Sequence, residues 1–374
     1  MTGRIGIKDV AREAGVSVAT VSLVLNDRVA ERIPASTQER VRRVAQEIGY
    51  APNSLARGLR TRRTHTIGFV SDQIATTPYA VGMIEAAQDV AREHHHLLFL
   101  VNTGADPVVE REAIAALLNH QVDGIVYACM WHRVVDRPAE LPEGAVFLDS
   151  RPIGGGFPAV VPDDRGGAEA AVQELVAAGH RRIAYVDIDE DPRPIASDLR
   201  RDGYLEVLHR EGIVADPALH VHARSDAAGG MVAASRVLDL PADRRPTALF
   251  CFNDRIAMGA YAAARRRGLG IPKDLSVVGY DDQQLIAAEL DPPLTTVALP
   301  HHEMGRWAVE VLLGVRERPT EDDGVVLMPC PIIRRDSVGP PPARESGPTA
   351  GVTQPVAVDR RPPSGSPDLA RRAP

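Results

Sequence analysis

From Thr66 to about Asp336 the chain alternates short apolar runs of strand length with amphipathic stretches of helix length. The strand-like runs are Thr66–Val70, Leu97–Val101, Gly124–Ala128, Arg182–Val186, Ala248–Phe252 and Ser276–Tyr280; helical stretches between them include Val81–Glu93, Gly167–Ala178 and Ile256–Arg267. Parallel strands need a crossover long enough to hold a helix, so the alternation predicts doubly wound parallel sheets with helices on both faces. A stretch of about 270 residues exceeds one ordinary domain of this kind. Two α/β lobes are therefore expected, 65–161 with 294–320 and 162–293 with 321–336, the Pro-rich stretch Gly154–Pro162 making the first crossover.

Residues 1–52 read differently, as a small all-α domain. Ile7, Val10, Ala11 and Ala14 share one face of a first helix, and Gly15 supplies a tight turn because glycine enters left-handed backbone without a Cβ clash. Ser17 suits the N-cap of a second helix, in which Val21 and Leu25 point inward while positions 18, 19, 22, 23 and 26 share the outer face. Ser36 and Glu39 are spaced as a capping box for a third helix with Val41, Val44, Ala45 and Ile48 as its buried stripe. Two short helices across a glycine turn predict a helix-turn-helix, its second helix offered to the DNA major groove. An ordinary three-helix bundle would show the same pattern.

Charge separates the two readings. Residues 1–65 hold 12 Lys and Arg against 6 Asp and Glu, a balance of +6, so the remainder carries −13 of the total −7. A basic module on an acidic body points to a polyanionic partner at one end. Residues 53–64 (NSLARGLRTRRT) form a basic connector, and 337–374, rich in Pro, Gly and Ser without apolar periodicity, read as a disordered tail. The three cysteines, Cys129, Cys251 and Cys330, are far apart, with no metal-type pair, which suits a cytoplasmic protein without disulfides. There is no membrane-spanning run and no secretion-type leader. No nucleophile elbow, P-loop or dinucleotide fingerprint occurs, so no enzyme activity and no cofactor are expected. Consecutive histidines point in different directions on a helix, so neither His94-His95-His96 nor His301-His302 is expected to hold a metal.

The stretches IKDVAREAGVSVATVSLVLN, ERVRRVAQEIGYAPNSLARGL and TIGFV, followed in order by VDGIV, GHRRIAYV, PTALFCFND, SVVGYDD and PPLTTV, closely resemble the lactose-repressor (LacI/GalR) family over about residues 5–336. The resemblance implies a homodimeric regulator, most simply a repressor, with a core like periplasmic sugar-binding proteins and a pseudo-palindromic double-stranded operator as partner. DNA contacts then fall to Lys8, Ser17, Val18, Ala19, Thr20, Ser22, Leu23 and Asn26, and to Asn53, Ala56, Leu59 and Arg60 of the connector. That connector resembles the family's hinge, which folds in the minor groove and wedges a leucine, here Leu59, into the central base step. Leu23 departs from the arginine often found at its position, so a bidentate guanine contact is lost and apolar packing on thymine methyls takes its place.

In doubly wound sheets ligands bind beyond the C-terminal strand ends, which draws attention to Asp72, Asn253, Asp254, Asp281 and Asp282. By resemblance Arg200, Asn253 and Asp281 match effector-binding positions. Arg224 stands where relatives place an aromatic ring, and Tyr79 and Trp131 are candidates to replace it. The expected effector is a sugar first, an anionic metabolite or sugar acid second. The same core without the DNA-binding end would instead fit a solute-binding or sugar-processing protein.

Overall fold

In the N-terminal region of the computed structural model, α1 (Ile7–Ala14), α2 (Val18–Leu25) and α3 (Ala35–Glu47) enclose one small core of Val10, Ala11, Ala14, Val21, Val24, Val41, Val44 and Ala45. The structure describes residues 5–25, 33–50, 64–77, 80–191, 193–320 and 324–343. Gly15 turns the chain at φ +64°, and the Ser17 hydroxyl accepts from the Thr20 N–H at 3.0 Å to cap α2. Two details differ from expectation. Val24, three residues after Val21, is the second fully buried side chain of α2, while Leu25 packs at the core's rim. Ser36 falls inside α3, whose N-cap is Pro34 without a side-chain bond, so no capping box forms there.

The core holds β1 (Thr66–Ser71), α4 (Val81–Glu93), β2 (Leu97–Asn102), α5 (Pro107–Asn119), β3 (Gly124–Val135), β4 (Val146–Pro152) and β5 (Ala159–Pro162). There follow α6 (Asp164–Ala177), β6 (Ile183–Ile188), α7 (Ile195–Arg210), β7 (His220–Ala223), α8 (Ala227–Leu238), β8 (Ala248–Cys251), α9 (Asp254–Arg266) and β9 (Ser276–Asp281). Last come β10 (Thr295–Ala298), α10 (His301–Leu312), β11 (Val325–Met328) and β12 (Ile332–Ile333). The strands make two six-stranded sheets, β11-β5-β4-β3-β1-β2 and β12-β10-β9-β8-β6-β7, parallel throughout except for the β10/β12 pair. The interior strands β1 and β8 carry no charged residue and are buried along their whole length, as a sheet covered on both faces requires.

Strand pairing redraws the lobe boundaries. β5 is a full member of the first sheet, so the first crossing comes at residue 163, after the stretch expected to cross. β10 pairs with β9 and belongs to the second sheet, while β11 pairs with β5 and belongs to the first, the reverse of the expected division at 294 and 321. Between them α10 packs Met304, Trp307 and Val309 into the first lobe's core. Residues 337–339 are not a loose tail: the buried Ser337 hydroxyl donates to Val277 O at 2.6 Å and accepts from Thr295 N–H at 2.8 Å, and Gly339 N–H donates to the Ser276 hydroxyl at 3.0 Å. Residues 344–374 of the expected tail lie outside the described residues.

Candidate functional site

On the N-terminal domain the outer face of α2 presents Val18 at 41% and Leu23 at 39% exposure, with Ala19 also exposed and Thr20 and Ser22 half-buried. Ser17 and Lys8 are exposed beside them. The helix carries no charge, so its outer surface is apolar with hydroxyl edges. Asn26, Asn53, Ala56, Leu59 and Arg60 lie outside the described residues.

Between the lobes, the C-terminal strand ends face each other. In both sheets the strand order reverses beside the first strand of the lobe, between β1 and β3 and between β6 and β8, which is where a crevice opens in such folds. β3 shapes the first wall. Its register against β4 shifts between Ala128 and Arg133, a bulge that re-aims Met130, Trp131 and His132 into the cleft. Asp72, just past β1, accepts from the Met130 N–H at 2.9 Å and pairs with Arg133, so its carboxylate pins the bulge.

Arg200 of α7 organises the second wall and is 3% exposed. Its Nε donates to Asp164 Oδ1 at 2.8 Å, its Nη1 donates to Phe252 O at 2.6 Å, and Asp281 Oδ1 lies 3.5 Å from Nη1. The guanidinium is sandwiched between rings, 3.5 Å from the Tyr280 centroid and 4.4 Å from that of Phe252. Tyr280 can lie there because Gly167 leaves its hydroxyl room that a Cβ would occupy. Asp164 also meets His132 Nδ1 of the opposite lobe at 3.0 Å, which makes it the link between the two walls.

Burial alone would raise the Asp164 carboxyl, but Arg200 and His132 hold it below its ordinary value. For Asp149, on the first wall, burial reinforced by Asp164 and Asp72 outweighs the opposing charges of Arg200 and Arg133 and pushes it well above the carboxylate range. It also sits at φ +52°, a left-handed conformation costly for a residue with a Cβ. Asp281 is raised to about 6, chiefly by burial, with Arg200 opposing. Two buried polar atoms of the cleft lining, His132 Nε2 and Asp149 Oδ1, have no hydrogen-bond partner. The side chains nearly fill the cleft, leaving about 10 Å³, room for about one water. A larger cavity of about 210 Å³, reaching from Asp281 to Val81 and His302, opens alongside.

Of the residues expected from sequence, Trp131, Arg200 and Asp281 line the cleft together, and Asp72 supports its wall. Asn253 does not reach it: its Oδ1 caps α9 by accepting from the Ile256 N–H and its Nδ2 donates to the Ser225 hydroxyl. Arg224 points away, 70% exposed and paired with Asp226. Asp254 is buried behind the cleft, accepting from Thr296 and from the Gln283 N–H, and Asp282 pairs with Arg335. Tyr79 lies outside the described residues. His132, Asp149 and Asp164 were not anticipated. Among them only Asp164 left a trace in the sequence, as the second acid of a Pro-Asp-Asp step into a helix.

Comparison with known proteins joins the two ends of the chain. Residues 6–53 match the model of bacterial regulatory proteins of the lacI family, and 172–338 match a periplasmic binding protein-like domain. The HTH-type transcriptional repressor PurR of Vibrio atlanticus is 32% identical over 337 residues, covering 89% of this chain and 98% of that protein. Among solved structures, the Lac repressor dimer bound to operator and the anti-inducer ONPF superposes with a TM-score of 0.73 at 26% identity, covering 90% of this chain and 99% of that one. A cellobiose complex of the transcriptional regulator CelR gives 0.60 at 28% identity, covering 89% and 100%.

Proposed function

The chain belongs to the LacI family of bacterial regulatory proteins, and from that premise we propose a homodimeric, cytoplasmic repressor whose grip on a pseudo-palindromic operator is set by a small polyhydroxyl effector held between the lobes. The observation that carries the effector reading is the pair of unpartnered polar atoms, His132 Nε2 and Asp149 Oδ1, in the lining of the cleft. Buried donors and acceptors without partners cost about 1–3 kcal/mol each, and a ligand rich in hydroxyls offers both functions to them.

The cleft's charge favours a neutral sugar over an anion. Arg200 is already engaged by Asp164 and Phe252 O, Arg133 by Asp72, and Arg224, whose guanidinium could otherwise pair with an anion, faces solvent. Asp281, ionised above about pH 6, would repel a carboxylate. The similar CelR structure, which holds cellobiose, supports the same choice.

For DNA, Val18, Ala19 and Leu23 suit thymine methyls, while Ser17, Thr20 and Ser22 suit phosphates and base edges. Lys8, Arg60 and their neighbours supply the charge, and the hinge residues Asn53, Ala56 and Leu59 supply the minor-groove wedge. For dimerisation, the edge strand β2 exposes Leu97, Phe99 and Leu100, an apolar border that a monomer would have to protect. No helix among the described residues is long and apolar enough to cross a membrane.

The test is a gel-shift on a duplex selected from random DNA. The full chain should bind and respond to a neutral sugar that also raises its melting temperature, and removal of residues 1–62 should abolish binding. Unchanged DNA binding after the removal would falsify the repressor reading.

A further inference from the structure

At the opposite end of the first lobe from the effector cleft, the N-terminal ends of three neighbouring strands bring together His65, before β1, His96, before β2, and Asp123, before β3. Their nearest ring nitrogens and carboxylate oxygen lie within 4.8 Å of one another. Although Asp123 is exposed through its backbone, its carboxylate and the His96 ring are only 13% and 12% exposed. We propose that His65, His96 and Asp123 form a binding site for a divalent transition ion of the zinc class.

Three observations carry this. His96 Nδ1 lies 2.7 Å from the His94 carbonyl, an acceptor, so that nitrogen bears the proton and the lone pair of a neutral ring is on Nε2. Nε2 in turn lies 3.2 Å from Asp123 Oδ2, also an acceptor. Two acceptors facing each other need either a proton on Nε2 or a metal ion beside it, and a metal titration tells the two apart. A backbone carbonyl fixing the tautomer of a ligating histidine is the usual support of such a ligand. Second, 3.2 Å is the separation of two ligands on one tetrahedral ion, about 3.3 Å for metal–ligand distances near 2.0 Å. Third, the carboxylate is held in place by the N–H groups of Thr64 at 2.7 Å and His65 at 3.1 Å, leaving lone pairs to spare. Two imidazoles and one carboxylate make a donor set of intermediate softness, suited to zinc and its neighbours.

A second cluster, Asp187 with His220 and His222, is weaker because the Arg193 guanidinium already occupies the Asp187 carboxylate at 2.8 Å. The histidine run set aside in the sequence thus contributes one ligand, and its partners come from elsewhere in the chain. The site's position gives it a consequence that rests on the hinge reading: His65 directly follows residues 53–64, so an ion there fixes where the DNA-binding arm leaves the core. Ion and operator affinity are then linked reciprocally.

The experiment uses the untagged full chain, Zn²⁺ in competition with a chromophoric chelator, and Co²⁺ as a visible-absorption reporter. The wild type is expected to bind Zn²⁺ at micromolar concentration with a rise in melting temperature. His96→Gln and Asp123→Asn should each lose that equivalent, and His222→Gln should keep it. Absence of binding in the wild type, or its retention in both His96→Gln and Asp123→Asn, overturns the site; a lowered metal-free melting temperature in one variant leaves the other to decide. Operator titration with Zn²⁺ against chelator separates the two claims: unchanged affinity in a protein that binds zinc overturns the coupling alone.

Discussion

Burial lifts the Asp281 carboxyl to about 6 even though Arg200 Nη1 stands 3.5 Å away. An acid raised on folding stabilises the fold most while protonated, below its unfolded value of 3.8, and that contribution is lost as pH rises through about 6. A sugar hydroxyl that donates to the ionised carboxylate works in the opposite sense. Effector affinity is therefore expected to be flat above about pH 7 and to fall below 6, by at most about tenfold per pH unit for one linked proton. Calorimetric titration across that range measures it, with Asp281→Asn as the flat reference; a flat wild-type profile removes Asp281 from the effector. Asp281, Arg200 and Trp131 were legible because strand ends and family motifs mark them. His132 and Asp149 were not: two-residue alternation through IVYACMWHR gives no sign of where the register slips, and the slip is what turns His132 inward. Asn253 was legible as a strand-end amide, but its two functional atoms are consumed by a helix cap and Ser225.

At the scale of elements, long periodic segments were the readable ones. α4 runs over Val81–Glu93, the bounds its periodicity predicts, and six strands lie where their apolar runs placed them, within a residue or two except β3. β4, β10, β11 and β12 are short or interrupted by polar residues, and pairing alone makes them strands. β3 extends to Val135 because the bulge lets it resume pairing with β4 beyond Ala128. The hinge is the element on which DNA specificity should depend. An apolar wedge acts only where a deformable base step receives it, so Leu59→Ala is expected to weaken operator binding by about 1–3 kcal/mol while changing affinity for random duplex little. Fluorescence anisotropy on both duplexes checks this, and equal losses would contradict the wedge.

For the whole molecule, the apolar edge of β2 and the two-fold operator belong to the same expectation. A charge set into that edge should separate the subunits, because an isologous contact repeats every insult twice. Phe99→Glu is expected to shift the protein towards monomer in sedimentation and to reduce operator affinity by at least about tenfold, since half-sites would bind singly. A variant that stays dimeric places the contact elsewhere. Two doubly wound lobes were legible in the rhythm of the chain, but which late strand joins which sheet was not, because β10 and β11 are each only four residues long and their sheet is set by the neighbour they pair with. That exchange of strands reaches beyond the folded state. The first sheet, begun at Thr66, receives its last strand only at Val325–Met328, after most of the second has been made. A ribosome must therefore release nearly the whole core before either half can close, and a single genetic exchange between relatives within the intervening stretch would hand each lobe a border from a different parent.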